Sequence, residues 1–445
     1  MNMIAVKDKR QDSWLFNALM LGLLCASANL FLMNQRLGAQ NGAGQNFVGP
    51  RDLFLGLLVI LPLFAARGQH EMPALQGAIA KTCIAGIVLA ITGFLRGYML
   101  ERNVFFLLNE LAPFIGWLLP FSVVYYVRNE ASLKRLWDML CVIGVLESVG
   151  AIGEIVFQIP LVTGSGIDYI EGSGMDRSTP SGWPIMVLAG AGVLVNILMG
   201  KEASSRRKAA SFVGLATIIF GSLLTESRTL LVGLWVAFGA VLILAKIGVP
   251  RRVTIVLLLA SSPLWLIVAG AAGNIFVGEG YSEHFLQRYS VVFGASEAEQ
   301  YAPDDGRAKE VQAAMETWDQ WIFFGTGLAG KYNLTDDPTG DQYNTAGQLA
   351  HNNLLFFATR FGILGIVLFM TLTVTILGAS ARALRAGMKL GGVGCGVGAG
   401  MFGLAACSMF ADVWSFTYMT PIAMAGVGIL LAYWNITTTQ PTIQS

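Results

Sequence analysis

His351 is followed by Asn352 and stands where a long polar stretch runs into an apolar one: His351-Asn352-Asn353-Leu354-Leu355-Phe356-Phe357-Ala358-Thr359-Arg360-Phe361-Gly362-Ile363-Leu364-Gly365. Imidazole gains and loses a proton near neutrality, so a histidine at such a boundary is a candidate general base. Arg228 is the second chemical residue. It lies in Leu224-Thr225-Glu226-Ser227-Arg228-Thr229-Leu230, a turn of a few residues between two apolar runs. An arginine in so short a turn is costly unless it meets a water-filled cavity, an anion or a partner such as Glu226. Its planar fork suits phosphate oxygens. Arg307 opens a helical stretch of the polar loop, and Arg288 lies upstream of it. Two arginines and a histidine, with no acidic metal cluster beside them, point to a diphosphate held by cationic side chains. Asp336, Asp337 and Asp341 match no calcium-loop spacing, so neither a metal nor another cofactor is expected.

Further polar groups are weaker candidates for substrate contact. Arg177 sits in Met175-Asp176-Arg177-Ser178-Thr179-Pro180, where simple loop solvation is the competing account. Glu147 and Glu154 are seven residues apart and share a helix face. Carboxylates inside a membrane span are a functional signal, though interhelical hydrogen bonding accounts for them equally well. Asp412 and Trp414 fall in a late turn that could line the same cavity.

The elements that must carry these residues are membrane helices. The 445 residues are 54% hydrophobic and 13% charged, against roughly 25% charged in a soluble domain. A net charge of +1 gives no reason to expect a nucleic-acid partner. The five cysteines all lie in apolar runs, so neither a disulfide nor a zinc site is expected. The N-terminal basic residues are followed by a long apolar run without a cleavage site, which reads as a first span and not a removed signal. Spans are expected near 14–33, 51–66, 77–95, 103–126, 136–159, 184–200, 209–225, 229–245, 253–276, 350–379, 391–411 and 419–435. The fold class is all-α: a polytopic helix bundle of about twelve transmembrane helices in one integral-membrane domain, residues 1–445. Between the ninth and tenth spans lies an extracytoplasmic loop, 277–349, with an amphipathic helix over about 305–322 capped by Asp304 or Asp305 and ended by Gly325-Thr326-Gly327. Its apolar face, with Trp318 and Trp321, fits a helix lying at the membrane interface or roofing a cavity. The glycines of Gly392–Gly400 stand at the spacing that lets helices approach closely.

Alternate loops collect seventeen Lys and Arg on one side and eleven on the other, which puts both termini in the cytoplasm and the long loop on the far side.

The chain resembles the O-antigen ligase superfamily of bacterial envelope glycosyltransferases, which includes O-antigen ligases, Wzy-type polysaccharide polymerases and protein O-oligosaccharyltransferases. The family motif of His, Asn/Ser/Gln, nine residues and Gly-x-x-Gly is met by His351, Asn352, Gly362 and Gly365. Ser227-Arg228 matches the Ser-Arg of a short outer turn, and Arg307, Trp318, Gly325 and Gly327 match the arginine that opens a loop helix ahead of a Trp and a Gly-x-Gly. The match covers the second half of the chain; the first half agrees only in hydropathy. The resemblance implies a metal-independent, inverting transfer at the periplasmic face of the bacterial inner membrane. The donor is a glycan on undecaprenyl diphosphate, and the acceptor is lipid A-core (ligase) or a growing polysaccharide (polymerase). Catalysis falls to His351, Arg228 and Arg307. Arg288, Arg177, Ser227, Asn352 and Glu154 are candidates for substrate contact, with membrane lipid as the surroundings. Two other classes compete. A transporter or flippase of lipid-linked oligosaccharide would place its titratable groups near the midplane, and a scaffold would need no cavity arginines.

Overall fold

A computed structural model describes residues 17, 56, 74–157, 168–169, 176–177, 183–199, 205–225, 227–244, 303–330, 352–386, 389–409, 411, 413–414 and 419–439. Apart from residues 17 and 56, the expected spans 14–33, 51–66 and 253–276, and most of the loop 277–349, lie outside these. The described residues are helical apart from turns and one two-residue antiparallel strand pair. The helices are α1 (Ala74–Met99), α2 (Val104–Ile115), α3 (Leu119–Tyr126), α4 (Glu130–Phe157), α5 (Trp183–Met199), α6 (Ser205–Leu224), α7 (Arg228–Leu244), α8 (Pro303–Gln320), α9 (Asn353–Arg385), α10 (Val393–Cys407) and α11 (Thr420–Thr439). The strands are β1 (Asp168–Tyr169) and β2 (Asp176–Arg177).

Among the described residues, six segments are long and apolar enough to cross a membrane: Gly77–Met99, Phe106–Tyr126, Glu130–Glu154, Asn353–Arg385, Leu390–Cys407 and Thr420–Thr438. The helices α5, α6 and α7 are apolar but shorter. The second segment is not one rod. Pro113 lies inside α2 and Pro120 opens α3, with a 3₁₀ turn, Gly116–Leu118, between them. Each proline removes a backbone donor, and the chain bends where the ladder fails.

The core forms around α5, α7 and α10. Their contact surfaces are built from residues small enough for backbones to meet. A Cβ added to Gly396 would stand 2.7 Å from the Trp137 ring, one on Gly400 2.7 Å from Leu188, and one on Gly398 2.9 Å from the Ser380 carbonyl. The glycine run Gly392–Gly400 is therefore a packing surface, as its spacing predicts. A second, aromatic core joins α2 and the 3₁₀ turn to the first turns of α9. Phe114 meets Phe361 edge-on at 5.8 Å between centroids, and Phe357 stacks on Phe369 at 5.7 Å.

The helix α8 runs from Pro303 to Gln320, two residues earlier at each end than expected, with Asp304 and Asp305 in its first turn. Its apolar residues divide into two sets. Ala313, Ala314 and Thr317 are buried, with Leu355 of α9 packed on the alanines, while Val311 and Met315 remain exposed.

Candidate functional site

The starts of two helices, α7 and α9, meet the end of α10 at one end of the bundle. α7 begins at Arg228. Ser227 is its cap: the hydroxyl accepts from Leu230 N–H at 3.4 Å, and the residue is buried. The next carbonyl, Thr229 O, accepts from the Cys407 thiol at the end of α10 at 3.2 Å. α9 begins at Asn353 and is capped by Asn352, whose extended backbone (φ −149°, ψ 121°) leaves its side-chain oxygen to accept from Leu354 N–H at 2.8 Å and Leu355 N–H at 3.3 Å. The Asn352 amide then donates to Met409 O at 2.8 Å. Residues 407 and 409 thus tie the starts of α7 and α9 to one short turn.

Asn353 completes the attachment. Its amide donates to Ser408 O at 3.2 Å and Ala411 O at 2.5 Å, and its oxygen accepts from Trp414 N–H at 3.2 Å. Trp414 is buried, and its carbonyl accepts from the Trp117 indole at 3.0 Å. Amides serve here because each offers a donor and an acceptor to a turn whose backbone groups have left the helix ladder.

Ten residues further along, α9 kinks. Gly362 has φ 65° and ψ −147°, a conformation essentially confined to glycine. The segment after α8 docks against this kink through its backbone. Thr326 N–H donates to Thr359 O at 2.7 Å, Gly327 N–H to Arg360 O at 2.9 Å, and Ile363 N–H to Ile322 O at 2.7 Å. Leu328 N–H donates to Gly93 O of α1 at 3.0 Å. Glycine is required on both sides. A Cβ on Gly362 would stand 2.5 Å from the Ile322 carbonyl oxygen, and one on Gly325 (φ 63°) would run into the Arg360 backbone. Gly365 sits against the Phe357 carbonyl across the kink.

A buried ion pair locks the joint. Arg360 is 0% exposed and bonds Glu110 of α2 in a fork, Nε to Oε2 at 2.9 Å and Nη2 to Oε1 at 2.8 Å. Glu110 Oε2 also accepts from Ala329 N–H at 2.8 Å. Arg102 donates to the carbonyls of Gly327 at 3.2 Å and Leu328 at 2.7 Å. Burial, and then the positive charge of Arg360, hold the Arg102 guanidinium below its ordinary range, while Glu110 acts in the other direction. α1, α2, the turn after α8 and the kink of α9 therefore meet in one polar knot inside apolar packing.

The expected site residues fall as follows. Asn352 is the cap of α9 and Ser227 the cap of α7, so both do structural work at the helix starts. Arg228 is the first residue of α7, Arg307 lies in the second turn of α8, and Arg177 lies in β2 opposite Asp168. The backbones of these three arginines are described and their side chains are not. His351 and Arg288 lie outside the described residues, as does Asp412. Glu147 and Glu154 are both buried in α4. The ion pair Glu110–Arg360 was not expected. Arg360 stands inside α9. The available signal was Glu110 itself, a carboxylate inside an apolar run, Phe105-Phe106-Leu107-Leu108-Asn109-Glu110-Leu111, which asks for a cationic partner.

This architecture defines a multi-pass helical membrane protein. Residues 213–370 match the family model described as O-Antigen ligase. The matched stretch holds Ser227, Arg228, Arg288, Arg307, His351 and Asn352, and it leaves Glu110, Glu154 and Arg177 outside. No curated protein matches the chain.

Proposed function

We propose that the chain is a membrane glycosyltransferase of the O-antigen ligase type, moving a glycan from undecaprenyl diphosphate to an acceptor hydroxyl without a metal. One observation carries the reading most directly: the turn Cys407–Met409 bonds both Thr229, next to Arg228, and Asn352, next to His351. Packing of Leu355 on Ala313 and Ala314 brings α8, which carries Arg307, to the same helix start. The family match of residues 213–370 supports the class of reaction.

In this mechanism His351 accepts the proton of the acceptor hydroxyl. The hydroxyl oxygen attacks the anomeric carbon opposite the diphosphate, forming the new glycosidic bond with inversion. The carbon–oxygen bond to phosphate breaks, and its electron pair leaves with the lipid diphosphate. Arg228 and Arg307 hold the charge that develops there. Arg288, Arg177 and Glu154 extend the substrate contacts. The basic-residue asymmetry supports cytoplasmic termini and a periplasmic site in the inner membrane. The acceptor is lipid A-core or a growing polysaccharide.

The test is transfer by purified protein in liposomes carrying the lipid-linked glycan. His351→Ala should lower the rate by about 10²- to 10⁴-fold, the usual worth of a positioned base, while the protein still inserts and folds. Full activity of that variant removes His351 from the reaction. Glycan movement across the bilayer with no transfer would mean a transporter. Strong inhibition by EDTA would replace the arginine clamp with a metal. In a deletion strain, long lipid-linked chains without lipopolysaccharide attachment indicate a ligase, and single accumulated repeat units a polymerase.

A further inference from the structure

The turn Trp321–Phe324 follows α8 and carries four large apolar side chains in a row. Phe323 and Phe324 are each 69% exposed, Trp321 44% and Ile322 40%. Contiguous exposure of this kind marks a surface that something apolar covers. Its surroundings say what. The turn lies on the Gly362 kink through the bond from Ile363 N–H to Ile322 O, and just beyond it α9 exposes Ile363, Leu364, Val367 and Met370. On the neighbouring helix α1, Leu95, Tyr98 and Met99 are exposed. Both helices contain membrane-crossing segments, so the aromatic turn continues two lipid-facing surfaces.

Depth agrees with this placement. From Gly77 to Arg96 the axis of α1 rises roughly 29 Å at ~1.5 Å per residue, close to the ~30 Å of a hydrocarbon core. Arg96 therefore stands at an interface, and its guanidinium lies over the Trp321 ring, 5.0 Å from the centroid. An arginine with a long apolar stem and an amphipathic indole are the pair that settles at headgroup level.

We propose that the turn Trp321–Phe324 is a membrane anchor. Phe323 and Phe324 insert among the acyl chains of the leaflet at the Arg96 end of the bundle, and Arg96 and Trp321 lie at the phosphates. The far end of α8 is then held at two points, the kink of α9 and the bilayer. This assignment does not depend on the reaction catalysed.

A nitroxide attached at Phe323→Cys, in full-length protein with its native cysteines replaced and reconstituted in phospholipid nanodiscs, tests it. Collisions with oxygen should exceed those with a water-soluble nickel chelate several-fold, and a label at Gln320, an exposed polar residue at the end of α8, should show the reverse. Equal or greater access to the nickel chelate places the turn in water and overturns the proposal. Shielding from both places it against protein, another segment or a second copy, and overturns it equally. Where the cysteine-free protein fails to fold, brominated lipids give the same answer through Trp321. The quenched part of the emission should shrink in Trp321→Phe, and an unchanged quenched fraction rejects the anchor.

Discussion

The two halves of the motif from His351 to Gly365 do different work. The first half, around Asn352 and Asn353, is an amide pin: side chains bond backbone groups of Ser408, Met409, Ala411 and Trp414 and fix where α9 starts. The second half, Arg360 to Gly365, is a joint: a glycine bend, a docked turn and a buried ion pair fix where α9 changes direction. The pin uses neutral groups at the edge of the bundle. The joint uses full charges inside it. The contrast teaches that a spacing of nine residues between the asparagine and the first glycine need not be a chemical spacing. It is the length of helix between two fixed points, about 14 Å at the usual rise, and the residue before the pin is the one the proposed reaction uses.

Energies separate the two halves, and the largest effect belongs to the joint. Arg360→Ala leaves Glu110 buried without its charge partner and should cost about 3–5 kcal/mol, read as a drop in unfolding temperature in detergent. The double variant Glu110→Leu/Arg360→Met should recover most of that loss, because the uncompensated charge is gone. If the double variant is as unstable as Arg360→Ala, the pair is not what holds the joint.

Arg228→Ala and Arg307→Ala come next and separate chemistry from architecture. Each should raise the transfer barrier by at least about 2 kcal/mol, the cost of losing a charged donor to the leaving group. Unfolding temperature should stay close to that of the parent, and a variant that loses stability in step with activity would count as structural.

Gly362→Ala should cost about 1–3 kcal/mol, since alanine is strained at this backbone conformation. Its Cβ would also press on the Ile322 carbonyl. Gly378, in the same helix, has nothing within 4 Å of an added Cβ. Gly378→Ala is therefore the control, and equal losses at the two positions would deny the bend any special status.

The smallest effect belongs to the pin. Asn352→Ala removes a helix cap and should cost about 1 kcal/mol of stability. If the reaction uses His351, this variant should lower the transfer rate more than its stability loss accounts for, because Asn352 is the residue next to the histidine in the chain and the cap fixes where it stands. A rate change that merely follows stability reduces Asn352 to an ordinary cap.

Much of this was legible in the chain. Apolar runs of span length located α1, α4, α9, α10 and α11, and the glycine spacing in Gly392–Gly400 announced a close-packed helix. The start of α8 was legible to within two residues, but Asp304 and Asp305, expected as caps, lie inside its first turn. The break at Pro113 and Pro120 was written in the sequence and was passed over, because hydropathy is continuous across it. The buried pair was hidden for a different reason. Glu110 and Arg360 are 250 residues apart, and local composition carries no term for a partner at that separation.

What the sequence by itself determined is the material of the bundle: which stretches are apolar enough to cross a membrane, where small residues let helices touch, and which rare polar groups lie among them. Burying apolar surface and satisfying the backbone are local demands, and a local pattern expresses them. Only the tertiary structure decided which arginine is spent on neutralising a carboxylate, that Gly362 bends a helix where another segment docks, and that the starts of α7 and α9 share one turn. Those outcomes come from distant groups competing for the same few hydrogen-bonding and charge partners, and that competition is resolved only when the helices have packed.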